Sequence, residues 1–139
     1  MRGERILADT NLFLRLLTND LPEQVDAFVD LLKKAAEGEF EFVTNALVIA
    51  EMVWTLESYY QQPKSNIQSQ ILAILNTPGL EVADSDMVLQ ATHWYMEKNV
   101  DFIDAFNAAW MQGQGIATVC TFDEKHFKRF EGIITRVPG

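Results

Sequence analysis

Several acidic residues in this sequence come directly after apolar segments or within them. Asp9 ends the segment RILAD, and Asp123 follows the segment IATVCTF. Asp101 and Asp104 lie three residues apart in DFIDAF, a spacing that places both on one face of a helix's first turn. Glu51 is the one charge in the apolar run NALVIAEMVWTL, which has the composition of a helix buried almost all round. An unpaired carboxylate is strongly unfavourable there, so Glu51 is expected to have a partner.

Carboxylates that gather in one small pocket repel one another and raise each other's pKa. A divalent cation removes that repulsion, and oxygen ligands without histidine or cysteine favour a hard ion such as Mg²⁺ or Mn²⁺. Such an ion activates water and stabilises the charge that develops on the oxygens of an in-line displacement. The acids therefore predict a metal site for phosphodiester chemistry.

Short strands that alternate with helices must position these acids. The predicted strands are RILAD, EFEFVT, GLEVAD, IATVCTFD and GIITRV, and the predicted helices cover residues 12–17, 22–36, 46–60, 64–75, 87–97, 102–114 and 124–130. This alternation predicts an α/β fold, a doubly wound and mainly parallel sheet of about five short strands flanked by helices, in one domain of residues 1–139. Ligands collect at the carboxyl ends of such strands, which is where Asp9 and Asp123 lie.

The formal net charge of −9 argues against a protein whose whole surface coats nucleic acid. A local basic cluster nevertheless follows Asp123 directly, and another arginine lies about two helical turns after Asp9. These candidates for contact with a phosphate backbone are Lys125, His126, Lys128, Arg129 and Arg15. A solvated helix face is the alternative interpretation of the cluster.

The remaining features indicate a soluble protein, with the cytoplasm as the default location. No stretch approaches the length of a membrane span, and the first residues lack the apolar core of a secretory signal. Cys120 is the only cysteine, so no intrachain disulfide is expected, and its place in an apolar strand predicts a buried, inert thiol. The two histidines, His93 and His126, are expected to lack the neighbours of a zinc site.

Taken in order, DTN after the first strand, the lone glutamate, DFIDA and TFDEKHF resemble the PIN-domain nucleases. The resemblance is strongest to the VapC-like toxins of bacterial and archaeal toxin-antitoxin pairs, and it covers Ile6 to about Val137. It implies a metal-dependent endoribonuclease that hydrolyses single-stranded or loop RNA. It also implies a homodimer that a small antitoxin inhibits by laying a segment across the active site.

Carried over by position, the resemblance implies a set of four catalytic acids. These are Asp9, Glu51, Asp104 and Asp123. All but the glutamate would bind Mg²⁺ or Mn²⁺ directly, whereas the glutamate would bind through water or orient the attacking water. Asn11 and Thr121 match small polar positions that help to order such a site. Asp101 is a candidate fifth carboxylate.

Other interpretations stay open beside this one. Asp9, Asp101 and Asp123 could each simply cap the helix that follows, as aspartate often does. The chain could also be a stand-alone RNA-processing nuclease, or a PIN fold that serves only as a binding module. A phosphatase that uses Asp-x-Asp after its first strand is excluded, because the second position here is Asn11.

Overall fold

The computed structural model describes residues 3–139, which form two compact units divided after Ser85. The first unit contains β1 (Arg5–Leu7), α1 (Thr10–Thr18), α2 (Pro22–Ala36), β2 (Glu41–Thr44), α3 (Ala46–Ser58), α4 (Lys64–Leu75) and β3 (Leu80–Val82). The second unit contains nearly all of α5 (Ser85–Glu97), then α6 (Phe102–Gln114), β4 (Thr118–Cys120), α7 (Glu124–Phe127) and β5 (Ile134–Arg136).

The first unit is built on a parallel sheet in which β2 lies between β1 and β3. At the carboxyl end of the sheet the Ala8 N–H donates to the Val43 carbonyl at 2.8 Å, and the Thr44 hydroxyl donates to the Ala8 carbonyl at 3.0 Å. The side chain of Asn45 accepts from the Val48 N–H and caps α3 directly after β2. Helices α1 and α3 therefore both begin at this end of the sheet.

Aromatic side chains hold α1 and α2 against β2. The ring centroids of Phe13 and Phe28 are 5.9 Å apart, and those of Phe28 and Phe42 are 5.7 Å apart, both in edge-on geometry. Gly79, just before β3, has a φ of +79°, and a Cβ atom there would lie 2.5 Å from the carbonyl carbon of Ala35. Only glycine allows this close approach of α2 to the sheet.

The second unit pairs β4 and β5 in parallel and packs its helices through aromatic contacts. The ring centroids of Trp94 and Phe130 are 5.1 Å apart. Helix α6 ends at Gly115, whose φ of +71° is the left-handed conformation that commonly follows a helix. The Thr121 N–H donates to the Arg136 carbonyl at 2.9 Å, so the ladder continues past β4 toward Asp123.

The predicted α/β class, the alternation of strands and helices and the parallel pairing are confirmed. The five strands form sheets of three and two strands within residues 3–139, whereas the prediction had placed them in one sheet. This difference explains why the buried thiol predicted for Cys120 is wrong. Cys120 is exposed, because β4 has β5 as its only strand neighbour among the described residues.

None of the helices within residues 3–139 combines the length and apolar composition needed to cross a membrane.

Candidate functional site

The start of α6 brings two carboxylates to one position in the second unit. Asp101 occupies the N-cap position of α6, and Asp104 lies in the first turn. The Asp101 side chain makes no capping hydrogen bond, so the capping interpretation of this residue does not hold. The side chain of Asp104 is 22% exposed, which leaves the carboxylate partly withdrawn from water.

The short helix α7 places an imidazole near Asp104, and the carboxylate of Asp123 lies beside that imidazole. Asp123 precedes α7, and its backbone N–H donates to Thr121 Oγ1 at 2.9 Å. Nδ1 of His126 lies 3.1 Å from Asp123 Oδ2 and 3.5 Å from Asp104 Oδ2. Helices α6 and α7 pack together, and this packing joins residues that are far apart in the sequence.

His126 is the member of this cluster that the sequence analysis missed, and the expectation that it lacks suitable neighbours was wrong. Ligand atoms of Asp101, Asp104 and His126 all lie within 4.8 Å of one another. The Nδ1 atom is shielded from solvent and makes no hydrogen bond of acceptable geometry. The available signal was the spacing of three residues between Asp123 and His126 in a helix that follows a strand.

The charges of this cluster act on Asp104. Burial raises the pKa of Asp104 above its ordinary value, and the Asp101 carboxylate is the next largest cause. The Asp123 carboxylate acts in the same direction, whereas His126 opposes it. The carboxylates of Asp101 and Asp104 and the imidazole of His126, whose ligand atoms lie within 4.8 Å of one another, therefore fit a divalent cation, which would reduce the cost of ionising Asp104.

The first unit holds the other two predicted catalytic acids at the carboxyl end of its sheet. Asp9 is the N-cap residue of α1 but makes no side-chain capping bond, so capping does not explain this residue either. Glu51 lies in the second turn of α3, which begins after the neighbouring strand β2. Both acids thus belong to elements that leave the same end of the sheet.

Glu51 is exposed, and the buried setting predicted for it is wrong. Helix α3 buries one broad side, which consists of Val48, Ile49, Met52, Val53 and Leu56. The opposite side carries Glu51 between Leu47 and Trp54, whose exposed fractions are 81% and 66%. An apolar run therefore contained an exposed face, and Glu51 needs no buried counter-charge to be tolerated.

The predicted RNA-contact residues differ in the contacts that their side chains make in the structure. Arg15 forms an ion pair with Asp20 at 3.4 Å and donates to Gln24 at 3.1 Å within the first unit. Lys128 pairs with Glu124 at 3.3 Å.

Arg129 donates to the backbone carbonyls of Lys98 and Asn99, which gives its guanidinium a structural role, and its contact with RNA stays a prediction. Lys125 is exposed on α7, and Asn11 is exposed in the first turn of α1. Thr121 Oγ1 accepts a hydrogen bond from the backbone N–H of Asp123, and its role in ordering a catalytic site stays a prediction.

The sequence model of the PIN domain matches residues 6–133. No curated protein matches the chain.

Among solved structures, VapBC2 from Rickettsia felis, bound to a DNA fragment from their promoter, is 16% identical with a TM-score of 0.43. That match covers 97% of this chain and 99% of the other. The VapC20 toxin of Mycobacterium tuberculosis, which cleaves the sarcin-ricin loop, is 20% identical with a TM-score of 0.38. Its match covers 88% of this chain and 93% of the other.

Proposed function

The chain belongs to the PIN domain family. On this basis we propose that it is a metal-dependent endoribonuclease that hydrolyses RNA phosphodiester bonds. The observation that carries the proposal is the cluster of Asp101, Asp104, Asp123 and His126 at the start of α6 and α7. We propose that residues 1–139 form one nuclease domain, since the family match extends across both units.

We assign the direct metal contacts in the second unit to Asp104 and Asp123, with Asp101 as a further carboxylate. Mg²⁺ or Mn²⁺ bound there would supply an activated water and neutralise charge on the reacting phosphate oxygens. Thr121 keeps Asp123 in place through the hydrogen bond between Thr121 Oγ1 and the Asp123 N–H. We assign Asp9 as a further ligand and Glu51 as the residue that orients water in the same reaction.

The charges of the chain favour binding of a divalent cation first and binding of RNA second. The net charge of −9 and the clustered carboxylates repel a phosphate backbone while the site holds no cation. The exposed Lys125 lies two residues after Asp123 and is the basic side chain placed to meet a phosphate beside the site. RNA binding is therefore expected to depend on divalent cations more strongly than on the basic residues.

We further propose that the nuclease is the toxin of a toxin-antitoxin pair, that it forms a homodimer and that a small protein inhibits it. The order of the acidic motifs supports this assignment. A protein partner is also supported by the exposed Leu47 and Trp54 on α3, because exposed apolar patches mark interaction surfaces. Growth arrest on expression, relieved by the product of an adjacent small gene, would test the toxin role.

Cleavage of RNA by the purified chain, free of any partner, tests the nuclease itself. Single-stranded and loop-containing RNAs should be cut with Mg²⁺ or Mn²⁺ present and remain intact with chelator. Asp104→Asn should lower the cleavage rate at least about 100-fold, because it removes a negative ligand from the reacting centre. The matched control is Asp86→Asn, which alters an exposed acid in the first turn of α5. Cleavage that persists with chelator or in Asp104→Asn would contradict the proposal.

A further inference from the structure

We infer that His126 is a nitrogen ligand of the second-unit metal site and that it makes this site prefer a first-row transition cation such as Mn²⁺ to Mg²⁺. The inference rests on the proposed function, since it concerns the cation of the same site. It replaces the all-oxygen ligand set predicted from the sequence with a mixed set of carboxylates and one imidazole.

The separations around His126 match those of ligands that share one ion. Metal-oxygen distances of about 2.1 Å in an octahedral site place adjacent ligand atoms about 3 Å apart and opposite ones about 4 Å apart. Nδ1 lies 3.1 Å from Asp123 Oδ2 and 3.5 Å from Asp104 Oδ2. The ligand atoms of Asp101, Asp104 and His126 lie within 4.8 Å of one another. The side chains need only small adjustments to meet one cation.

The surroundings of Nδ1 also fit a metal ligand. Nδ1 is shielded from solvent, lies near both carboxylate oxygens and makes no hydrogen bond of acceptable geometry. A cation held among these atoms would give Nδ1 the partner that it lacks.

The helices explain how these side chains come close together. Asp101 and Asp104 lie three residues apart at the start of α6, and Asp123 and His126 are spaced in the same way around α7. Residues three apart lie on one helix face, so each helix contributes a pair. Paired ligands from two packed helices are a known way to build a site for a transition metal.

The nature of the donors then sets the preference among ions. Mg²⁺ strongly favours oxygen ligands and keeps much of its water, whereas first-row transition cations also accept imidazole nitrogen, Mn²⁺ with the lowest affinity of the series. One nitrogen beside the carboxylates of Asp101 and Asp104 leaves Mg²⁺ able to bind through oxygen and gives Mn²⁺ an additional ligand. Removal of the imidazole should therefore weaken Mn²⁺ binding much more than Mg²⁺ binding.

Metal titrations of the full-length protein without RNA test the inference. By calorimetry, the native protein should bind Mn²⁺ at least tenfold more tightly than Mg²⁺. His126→Gln should lower Mn²⁺ affinity about tenfold or more and change Mg²⁺ affinity less than threefold. The matched control is His93→Gln on α5, which changes the other histidine at an exposed position and should leave both affinities unchanged.

A spectroscopic measurement on the native protein tests the inference even if a variant folds poorly. Native protein with bound Mn²⁺ should show electron-spin coupling to one histidine nitrogen, and ¹⁵N-labelled histidine should change that coupling. The same signal in labelled His93→Gln would assign it to His126. Absence of nitrogen coupling in the native protein would overturn the inference even if His126→Gln cannot be purified.

The competing role of His126 gives an opposite result. If His126 were only a positive charge beside the carboxylates, its removal would strengthen the binding of both cations, because it competes with them. That result, or equal losses for both ions, would overturn the inference. These measurements need no RNA. A protein that binds Mn²⁺ through nitrogen but cuts no RNA would therefore refute the nuclease proposal and leave the inference on His126 standing.

Discussion

Arg129 donates a hydrogen bond from its guanidinium to the backbone carbonyl of Asn99, the residue with left-handed backbone that follows α5. The same nitrogen also donates to the Lys98 carbonyl at 3.1 Å. Arg129 therefore ties the segment after α7 to the loop that leads into Asp101. The two halves of the proposed metal site, one on α6 and one on α7, are fixed relative to each other partly by this contact.

Arg129→Ala is expected to lower the free energy of unfolding by about 1 kcal/mol, because charge-assisted hydrogen bonds to exposed carbonyls contribute modestly. Mn²⁺ affinity should fall severalfold in the same variant, since the loop before Asp101 loses its tether. Urea unfolding and metal titration measure the two effects. Arg136→Ala, at an exposed position of β5, is the control. Weaker RNA binding with unchanged stability and metal affinity would instead support the contact with RNA predicted from the sequence.

Asp104→Asn is expected to stabilise the metal-free protein at neutral pH and to raise its melting temperature by a few degrees. The raised pKa of Asp104 means that folding disfavours the ionised carboxylate, through burial and the nearby Asp101. This penalty is complete above the folded-state pKa, declines as the pH falls and vanishes below the ordinary value of 3.8. Melting curves from pH 7 down to about pH 3 measure the effect. A gain that is equally large at low pH would contradict the electrostatic origin.

Gly79→Ala is expected to cost about 3 kcal/mol or more of unfolding free energy, which places it among the severe single substitutions. Its added Cβ would meet the Ala35 backbone, and the φ of +79° is itself strained for alanine. Gly38→Ala is a matched control, because its φ of +87° is similar but nothing lies within 4 Å of the added atom. The control should lose only about 1 kcal/mol. Equal losses in chemical unfolding would show that the contact with Ala35 is unimportant.

Glu51→Gln is expected to change the free energy of unfolding by less than about 0.5 kcal/mol, because the side chain is exposed. The rate of RNA cleavage should nevertheless fall about 100-fold or more, since the amide cannot orient water as the carboxylate does. Glu97→Gln, an exposed position on α5, serves as the comparison. Unfolding of Glu51→Gln with undiminished activity per folded molecule would make Glu51 a structural residue.

Features encoded locally could be predicted from the sequence. The bounds predicted for α2, α4 and α6 agree with the structure, and Pro22 and Gly38 flank α2 while Gly115 follows α6. Asp9 and Asp123 could be found because an acid directly after an apolar strand is visible in the sequence itself.

Features that depend on packing could not be found in this way. The sequence pattern of an apolar helix is the same whether all of its faces pack against the core or one stays exposed. The exposure of Glu51 could therefore not be predicted from the sequence. The proximity of His126 to Asp104 depends on how α6 packs on α7, which no local pattern encodes. The exposure of Cys120 depends on the division of the strands into two sheets.

The pairing of β4 with β5 has a consequence for the order in which the protein matures on the ribosome. Strands β1 to β3 are complete once residue 82 has been synthesised, so the first sheet can form early. The segment that carries Asp123 is held by the Arg136 carbonyl and must wait for β5 to emerge. Among residues 3–139, the proposed cation site therefore becomes ordered only after β5 has been made, later than the first sheet.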